Sequence, residues 1–293
     1  MSIIDERKAA LLARVRDYGG PLNELPVLAQ FLAQVMHESG GLRYVREIWG
    51  PTKAQRGYEG RADLGNTKPG DGKRFMGRDV LQITGRANYR ALTKWVRETF
   101  GAKVDFEANP ELLESPEWLG IGAIWYFLAA RKDLIKYCRE GNIEMVTRRV
   151  NGGLNGYQDR LRWYDDAALK LLGFATIRDF QKVAGLVVDG ISGPKTRAAL
   201  HEALSHVRET PKTEHEPPVM SKTAPVSDTS AKAPKRPAQS AKPAAPPSPA
   251  KEAGKAAAGG LAGGGLALAI WAIWGDAAQA WRDFWLWAFS FIN

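Results

Sequence analysis

Apolar side chains recur at helical spacing in the stretch that leads to the glycine pair 40–41. The residues of this stripe are Leu28, Phe31, Leu32 and Val35. Their i, i+3, i+4, i+7 pattern predicts a helix with one face in the core, and glycine favours the left-handed backbone found at helix ends. Continuing the stripe by one step reaches Glu38, so a carboxyl group stands where an apolar side chain is expected.

Helical periodicity extends over most of the first 172 residues. Residues 1–18 fit an amphipathic helix, and later helices are predicted over 91–100, 117–130, 143–150 and 158–172. The apolar residues 119–128 are too few to cross a bilayer and indicate a buried core helix. The pattern therefore predicts a mainly α fold.

Two carboxyl groups flank the glycine pair, Glu38 before it and Glu47 after it. On a buried stripe Glu38 would lose solvation and favour its protonated form, whereas in an exposed last turn it would reach solvent. Glu47 follows Glu38 by nine positions, which span roughly 30 Å at most, so both carboxyls can face one substrate. Glycosidic bond cleavage needs such a pair, one to protonate the leaving oxygen and one to activate water or attack directly. Spacing along the chain does not give the stereochemistry.

Four ordered motifs carry a resemblance to a known family: HESGGLRYVRE, YEGRADLGNTKPGDGKRFMGR, LQITGRANY and RRVNGGLNGYQDR. Over roughly residues 25–172 the chain resembles family 19 glycoside hydrolases, the chitinase-like family, and looks closest to the bacterial and phage branch that includes endolysins. The resemblance implies a lysozyme-like, two-lobed helical domain. It also implies an inverting mechanism on β-1,4-linked N-acetylated sugars.

The same resemblance implies roles for individual residues. Glu38 matches the general acid, Glu47 the general base, and Thr84 the hydroxyl that helps to hold the attacking water. The positions that match substrate-binding residues or the far side of the cleft are Gln82, Asn88, Tyr89, Asn151 and Arg160.

The Arg- and Gly-rich loop 49–79 taken alone could bind phosphate or nucleic acid, but its GDGK lacks the spacing of a phosphate-binding P-loop. The resemblance instead assigns the loop to a carbohydrate cleft, with Tyr58 and Arg61 lining it. One departure is Asp79, where the family usually has glycine in GRG. Asp79 could alter sugar preference or pH optimum; we favour a helix N-cap before Val80-Leu81.

The sequence gives no sign of a metal site or a cofactor. Its four histidines form no HExxH motif and no cluster with cysteine. We expect His37, beside Glu38, to be a hydrogen-bonded structural histidine. The single cysteine, Cys138, lies in an apolar helical context and is expected to be a core residue.

A second unit follows the predicted catalytic domain of residues 1–172. The pattern DFQ…AGL.VDG..GP.T..AL within 176–203 resembles a small three-helix peptidoglycan-binding domain, of which the C-terminal half is clear. Its first helix is either shared with residues 167–174 or degenerate. A unit of this size, residues 173–204, buries little surface by itself and should pack against the catalytic domain.

The C-terminal third has a different composition. Residues 205–255 are rich in Pro, Ala and Lys and predict a disordered linker. Residues 256–293 begin with nineteen uncharged residues and predict a C-terminal hydrophobic helix that associates with the membrane, the alternative being a tail that packs on a partner protein. Residues 1–18 show no signal peptide, so we expect cytoplasmic synthesis and inner-membrane association through the tail.

Together these features predict a monomeric peptidoglycan hydrolase of the phage or prophage endolysin type, which cuts β-1,4 bonds. A chitinase acting on chitin is the nearest alternative, and a non-catalytic wall-binding membrane protein is a second. The net charge of +9 would attract anionic polymers, but much of it lies in the linker, which argues against a nucleic-acid partner.

Overall fold

The computed structural model describes residues 2–207 of the 293-residue chain. The predicted membrane-associated tail and all but the first three residues of the predicted linker lie outside the described residues. Within residues 2–207, no helix has both the length and the apolar character needed to cross a bilayer.

The described part of the chain is built from helices and contains no β-strand, only isolated bridges that pair Arg78 with Arg46 and Ile83. The α-helices are α1 (Ile3–Tyr18), α2 (Leu25–Glu38), α3 (Lys53–Arg56), α4 (Asp71–Arg74), α5 (Arg86–Phe100), α6 (Ile121–Trp125), α7 (Asp133–Arg139), α8 (Ile143–Asn151), α9 (Tyr157–Leu172), α10 (Ile177–Val183) and α11 (Pro194–His206). Short 3₁₀ turns cover Gly20–Asn23, Ala62–Leu64 and Pro110–Glu114. The predicted mainly α fold is confirmed.

Helix boundaries agree with the sequence patterns for α1, α8 and α9, whereas α5 begins at Arg86, five residues before the predicted start, and the pattern near residue 120 differs more. The predicted helix 117–130 begins only at Ile121, after Gly120 at φ +94°, and continues from Trp125 into one π-helical turn, Tyr126–Ala130. A left-handed glycine cannot continue an α-helix, so the apolar run before it forms turns instead.

Two hydrophobic clusters form the interior. The larger is built around α2 and α9, whose inner faces are almost entirely buried, and includes side chains of α1, α7 and α8. The smaller collects aromatic side chains around α5, among them Phe75, Tyr89, Phe106 and Trp118. The chain from residue 47 to residue 84 contributes to both clusters, with Val80 and Leu81 in the larger and Phe75 and Ile83 in the smaller.

An arginine cluster fixes that chain to α5. Arg86 donates to the buried carboxylate of Asp71 and, at 2.9 Å, to Glu107, while its guanidinium lies 4.6 Å from the centre of the Phe75 ring. Arg90 donates two further hydrogen bonds to Glu107, each 2.8 Å. Glu107 is partly buried, which acts to raise its pKa, but its two arginine partners outweigh burial and lower the pKa to about 2.

Helices α10 and α11 pack directly against α9. Phe180, Leu200 and Leu204 join the same hydrophobic cluster as Leu172, and Arg197 of α11 pairs with Asp165 of α9 at 3.0 Å. The second unit therefore consists of two helices that use α9 as their third. This arrangement favours the shared-helix interpretation; a domain border between 172 and 173 remains a prediction.

Candidate active site

Glu38 is the last residue of α2, and its side chain is only 4 % exposed. The helix ends there because Gly40 and Gly41 follow at φ +60° and +73°. Oε1 of Glu38 accepts a hydrogen bond of 2.7 Å from Nη2 of Arg160. Of the two interpretations of this glutamate, the structure supports the buried one.

Arg160 comes from the first turn of α9, and its side chain is 1 % exposed. Nη1 donates to Oε1 of Gln34 at 2.6 Å, one turn before Glu38 on α2. Gln34 in turn approaches the buried hydroxyl of Thr147 at 3.4 Å. The guanidinium favours the carboxylate form of Glu38 while burial favours the protonated form, so two opposing effects act on this group.

The other residue predicted for this side, Asn151, ends α8. Its Nδ2 donates to the carbonyl of Asn155 at 3.4 Å, and Nε of Arg160 donates to the same carbonyl at 3.5 Å. The loop between α8 and α9 thus brings Asn151 close to Arg160 and Glu38.

His37 fits the structural role expected for it. Its Nδ1 lies 2.6 Å from Oδ2 of Asp159 on α9. Burial, together with the nearby Arg160 guanidinium, lowers the pKa of His37 below its usual value, so the ring is neutral at pH 7. It connects α2 to α9 beside the acid.

Glu47 lies in extended chain whose backbone N–H donates to the Gly77 carbonyl at 2.8 Å. Oε1 accepts from Nε2 of Gln55 at 3.1 Å and from the Tyr58 hydroxyl at 3.3 Å, and Oε2 accepts from the Gly77 N–H at 3.1 Å. Three donors converge on a group that, when ionised, only accepts hydrogen bonds. The predicted cleft residue Tyr58 therefore touches the candidate base directly.

Gln55 was not identified from the sequence, although it is almost fully buried beside Glu47. Its Oε1 accepts from the backbone N–H groups of Gly50 and Thr52, while Nε2 donates to Glu47 and to the Ile48 carbonyl. Thr52-x-x-Gln55 is a capping box that starts α3, which the sequence could have signalled. That signal would not have revealed the contact with Glu47.

Gly77 joins the base to the residues of the LQITG motif. A Cβ at Gly77 would lie 2.7 Å from Oε1 of Gln82 and 3.3 Å from Oγ1 of Thr84, so a side chain there would displace the Gln82 amide. Thr84 donates to the Gln82 carbonyl at 3.0 Å, and Asn88 donates to the Thr84 carbonyl at 2.7 Å. Gln82 and Thr84 thus lie against Gly77, whose N–H donates to Glu47, and Asn88 is hydrogen bonded to Thr84.

Two predicted substrate-binding residues are placed differently. Tyr89 has no exposed surface; its hydroxyl donates to the Met76 carbonyl at 2.8 Å and accepts from Arg78, and burial raises its pKa. A buried ring cannot touch a sugar at the surface, so Tyr89 supports the loop instead. Arg61 pairs with Asp63 at the surface.

The expectation for Asp79 is wrong in its partner. No helix begins at Val80, because residues 79–82 form a turn with Asp79 itself at φ +66°. The fully buried carboxylate instead accepts from the N–H groups of Gly120 at 2.6 Å and Ala123 at 2.9 Å, and so caps α6, 41 residues further along the chain. Burial raises the pKa of Asp79 to about 6 even though these backbone donors act to lower it.

Comparison with known proteins identifies the family. The chain is 32 % identical over 164 residues to a Haemophilus influenzae protein described as "Glycosyl hydrolase family 19 domain-containing protein", over 46 % of this chain and 76 % of the relative. The chain belongs to glycoside hydrolase family 19. The predicted family and the glycoside hydrolase class of this enzyme are thereby confirmed.

This family 19 chain is also similar to solved structures and, over a short segment, to a family of binding domains. Chitinase C from Streptomyces griseus is 21 % identical, with a TM-score of 0.44 over 56 % of this chain and 69 % of that one. A bacterial family 19 chitinase is 22 % identical, with a TM-score of 0.42 over 54 % of this chain and 82 % of that one. Residues 174–200 match the family described as "Putative peptidoglycan binding domain".

Residues that could bind a metal ion do not cluster in the described part of this family 19 chain. Within residues 2–207, no group of three or more His, Cys, Asp or Glu side chains is placed to hold a metal ion. Cys138 is buried, which raises the pKa of its thiol and fits the core role expected for it.

Proposed function

We propose that this family 19 enzyme hydrolyses β-1,4 bonds of peptidoglycan with inversion, using Glu38 as general acid and Glu47 as general base. The observation that carries the proposal is the contrast between the two carboxyl groups. Glu38 is buried at a helix end, whereas Glu47 accepts three hydrogen bonds beside Thr84. One carboxyl group is shielded from solvent and paired with Arg160 while the other is held by neutral donors, and such unequal surroundings suit two different roles in one reaction.

The proposed reaction is a hydrolysis in which one carboxyl group acts as acid and the other as base. The Glu38 carboxyl gives its proton to the glycosidic oxygen as the bond from C1 to that oxygen breaks. A water molecule adds to C1 from the opposite face, and Glu47 takes the proton that this water releases. Thr84 already donates its hydroxyl hydrogen to the Gln82 carbonyl, so its oxygen is left to accept a hydrogen bond from the water. Exchange with solvent then restores both carboxyl groups.

Peptidoglycan is favoured over chitin by the second unit. Its loop exposes three aliphatic side chains, Val187 at 79 %, Val188 at 47 % and Ile191 at 67 %. Buried Gln181 fixes this loop by donating to Asp189 and to the Ile191 carbonyl and by accepting from the Gly190 N–H. A rigid, partly apolar surface in the segment that matches a peptidoglycan-binding family supports contact with the wall. Chitin remains the second candidate, since relatives in this family are named chitinases.

The test of the proposed function compares the full chain with Glu38→Gln. Each is incubated with bacterial sacculi and with chitin oligomers, and the products are identified by mass spectrometry. We expect muropeptides with free reducing ends from the wild type and none from the variant. Anhydro ends would refute hydrolysis, and products from chitin alone would refute the proposed substrate.

Wall binding has its own test. The double variant Val187→Ser/Ile191→Ser should sediment less with sacculi than the wild type, while its rate on soluble oligomers stays unchanged. Unaltered sedimentation would refute this surface as the binding site.

We further propose that the enzyme is a monomeric phage or prophage endolysin held at the inner membrane by residues 256–293. The uncharged stretch 256–274 and the basic linker before it support this, because basic segments tend to stay on the cytoplasmic side. The enzyme would then face the cytoplasm until the membrane is breached. Digestion of the linker by protease added outside intact spheroplasts would refute this topology.

A further inference from the structure

Three polar side chains form a stripe along the otherwise apolar buried face of α2. Gln30, Gln34 and Glu38 are spaced four residues apart, which places them one above another on one side of the helix. Gln30 and Gln34 are both 0 % exposed. Burial of an amide costs free energy unless hydrogen bonds compensate, so each glutamine needs a reason to be there.

The two glutamines differ in their contacts. Gln34 accepts a 2.6 Å hydrogen bond from Nη1 of Arg160, and its amide nitrogen approaches the hydroxyl of Thr147. Gln30 has no hydrogen-bond partner for either amide atom among the residues that the structure describes. Gln34 therefore forms a hydrogen bond with Arg160, whereas Gln30, on the same buried face, forms none with a described residue.

We propose that Gln34 is a positioning residue for catalysis, which holds Arg160 so that its second nitrogen stays directed at Glu38. The guanidinium group is planar and rigid, so fixing Nη1 also fixes the direction of Nη2. This inference rests on the proposed role of Glu38 as general acid. A proton donor must meet one particular oxygen, and small displacements of such a group cost large factors in rate.

The position of Arg160 also affects the proton on Glu38. A guanidinium at 2.7 Å favours the carboxylate, so a loosely held Arg160 lets Glu38 keep its proton to higher pH. His37 on α2 also lies close to this pair, and its ring is hydrogen bonded to Asp159 on α9. Substitution of Gln34 changes neither of them.

The experiment compares Gln34→Met with the matched control Gln30→Met in the full chain. Methionine keeps the length and unbranched shape of glutamine but removes the strong acceptor. On soluble oligosaccharides we expect Gln34→Met to lower kcat about 10- to 100-fold with KM nearly unchanged. The alkaline limb of its pH–rate profile should move to higher pH. Gln30→Met should match the wild type in both respects.

Gln34→Glu extends the test, because the new carboxylate competes with Glu38 for the same guanidinium. We expect its alkaline limb to move up further than that of Gln34→Met. Equal kcat and equal profiles for Gln34→Met and Gln30→Met would overturn the inference. A loss of activity that only follows loss of folded protein, with the limb unmoved, would overturn it too. Full activity of Glu38→Gln would instead overturn the proposed function, so the two failures are distinguishable.

Discussion

Asp79 tests how burial and helix capping compete at one carboxyl group. Its side chain is fully buried, and each of its two oxygens accepts a backbone N–H at the start of α6. Burial disfavours the charged form, whereas the two N–H donors favour it. The balance raises the pKa of Asp79 from its usual 3.8 to about 6.

The raised pKa of Asp79 sets both the size of its contribution to stability and the direction in which that contribution changes with pH. A difference of this size corresponds to about 3 kcal/mol between the protonation states. Because the folded state binds the proton more tightly, this contribution to stability is complete below the ordinary pKa. It is lost as pH rises through about 6. Asparagine is neutral at every pH, so Asp79→Asn removes this dependence.

The assay is urea unfolding of the wild type and Asp79→Asn between roughly pH 4 and pH 7.5. The free energy of unfolding of the variant relative to the wild type should rise by about 2.5 kcal/mol across that range, because a small part of the effect is already lost at pH 4. Subtraction cancels the titration of all other groups. Asp5→Asn is the control, because Asp5 is exposed at the start of α1 and its hydrogen bonds to Ser2 lower its pKa. A difference that stays constant, or that moves in favour of aspartate at high pH, would refute the reasoning.

Three further substitutions test other contacts. Glu107→Gln should cost about 3 kcal/mol in urea unfolding at pH 7. Its depressed pKa of about 2 means that the stabilisation is present above pH 4.5 and is lost as pH falls through 2, so the cost should shrink in acid. Arg160→Met should lower the free energy of unfolding by about 3–5 kcal/mol, because it removes the guanidinium that pairs with the buried Glu38 carboxyl group. Addition of Glu38→Gln should cost less than the sum of the single changes. Tyr58→Phe should reduce kcat about tenfold with an unchanged unfolding midpoint, because only the hydroxyl that donates to Glu47 is lost; full activity would refute that role.

Hydrophobic periodicity predicted those features of the helices that depend on local sequence. The stripe on α2 and the glycine pair after it define a helix that ends at Glu38, and burial was one of the two interpretations that the stripe allowed for that carboxyl group. Residues 143–150 and 158–172 agree with α8 and α9 to within one residue. These features are carried by side chains three or four positions apart, which a sequence displays directly.

Contacts between residues far apart in the sequence could not be predicted from such patterns. Asp79 lies before apolar residues as a local cap would, yet its backbone turns left-handed and its carboxylate reaches α6. Gln55 has the signature of a helix start, and nothing in that signature points back to Glu47. Tyr89 belongs to a motif associated with sugar binding, but its position on α5 directs the ring into the aromatic cluster. In each case tertiary packing determines which group the side chain contacts.

The acid and the base depend on the fold in different ways. Donors to Glu47 come from 8, 11 and 30 residues away, all within one loop-rich segment. The donor to Glu38 comes from 122 residues away on α9, so the acid is assembled only when α2 and α9 pack together. The same helix α9 forms the third side of the wall-binding unit through Asp165 and the shared core. Removal of α10 and α11 would expose apolar surface of α9, the helix that supplies Arg160 to the candidate acid Glu38.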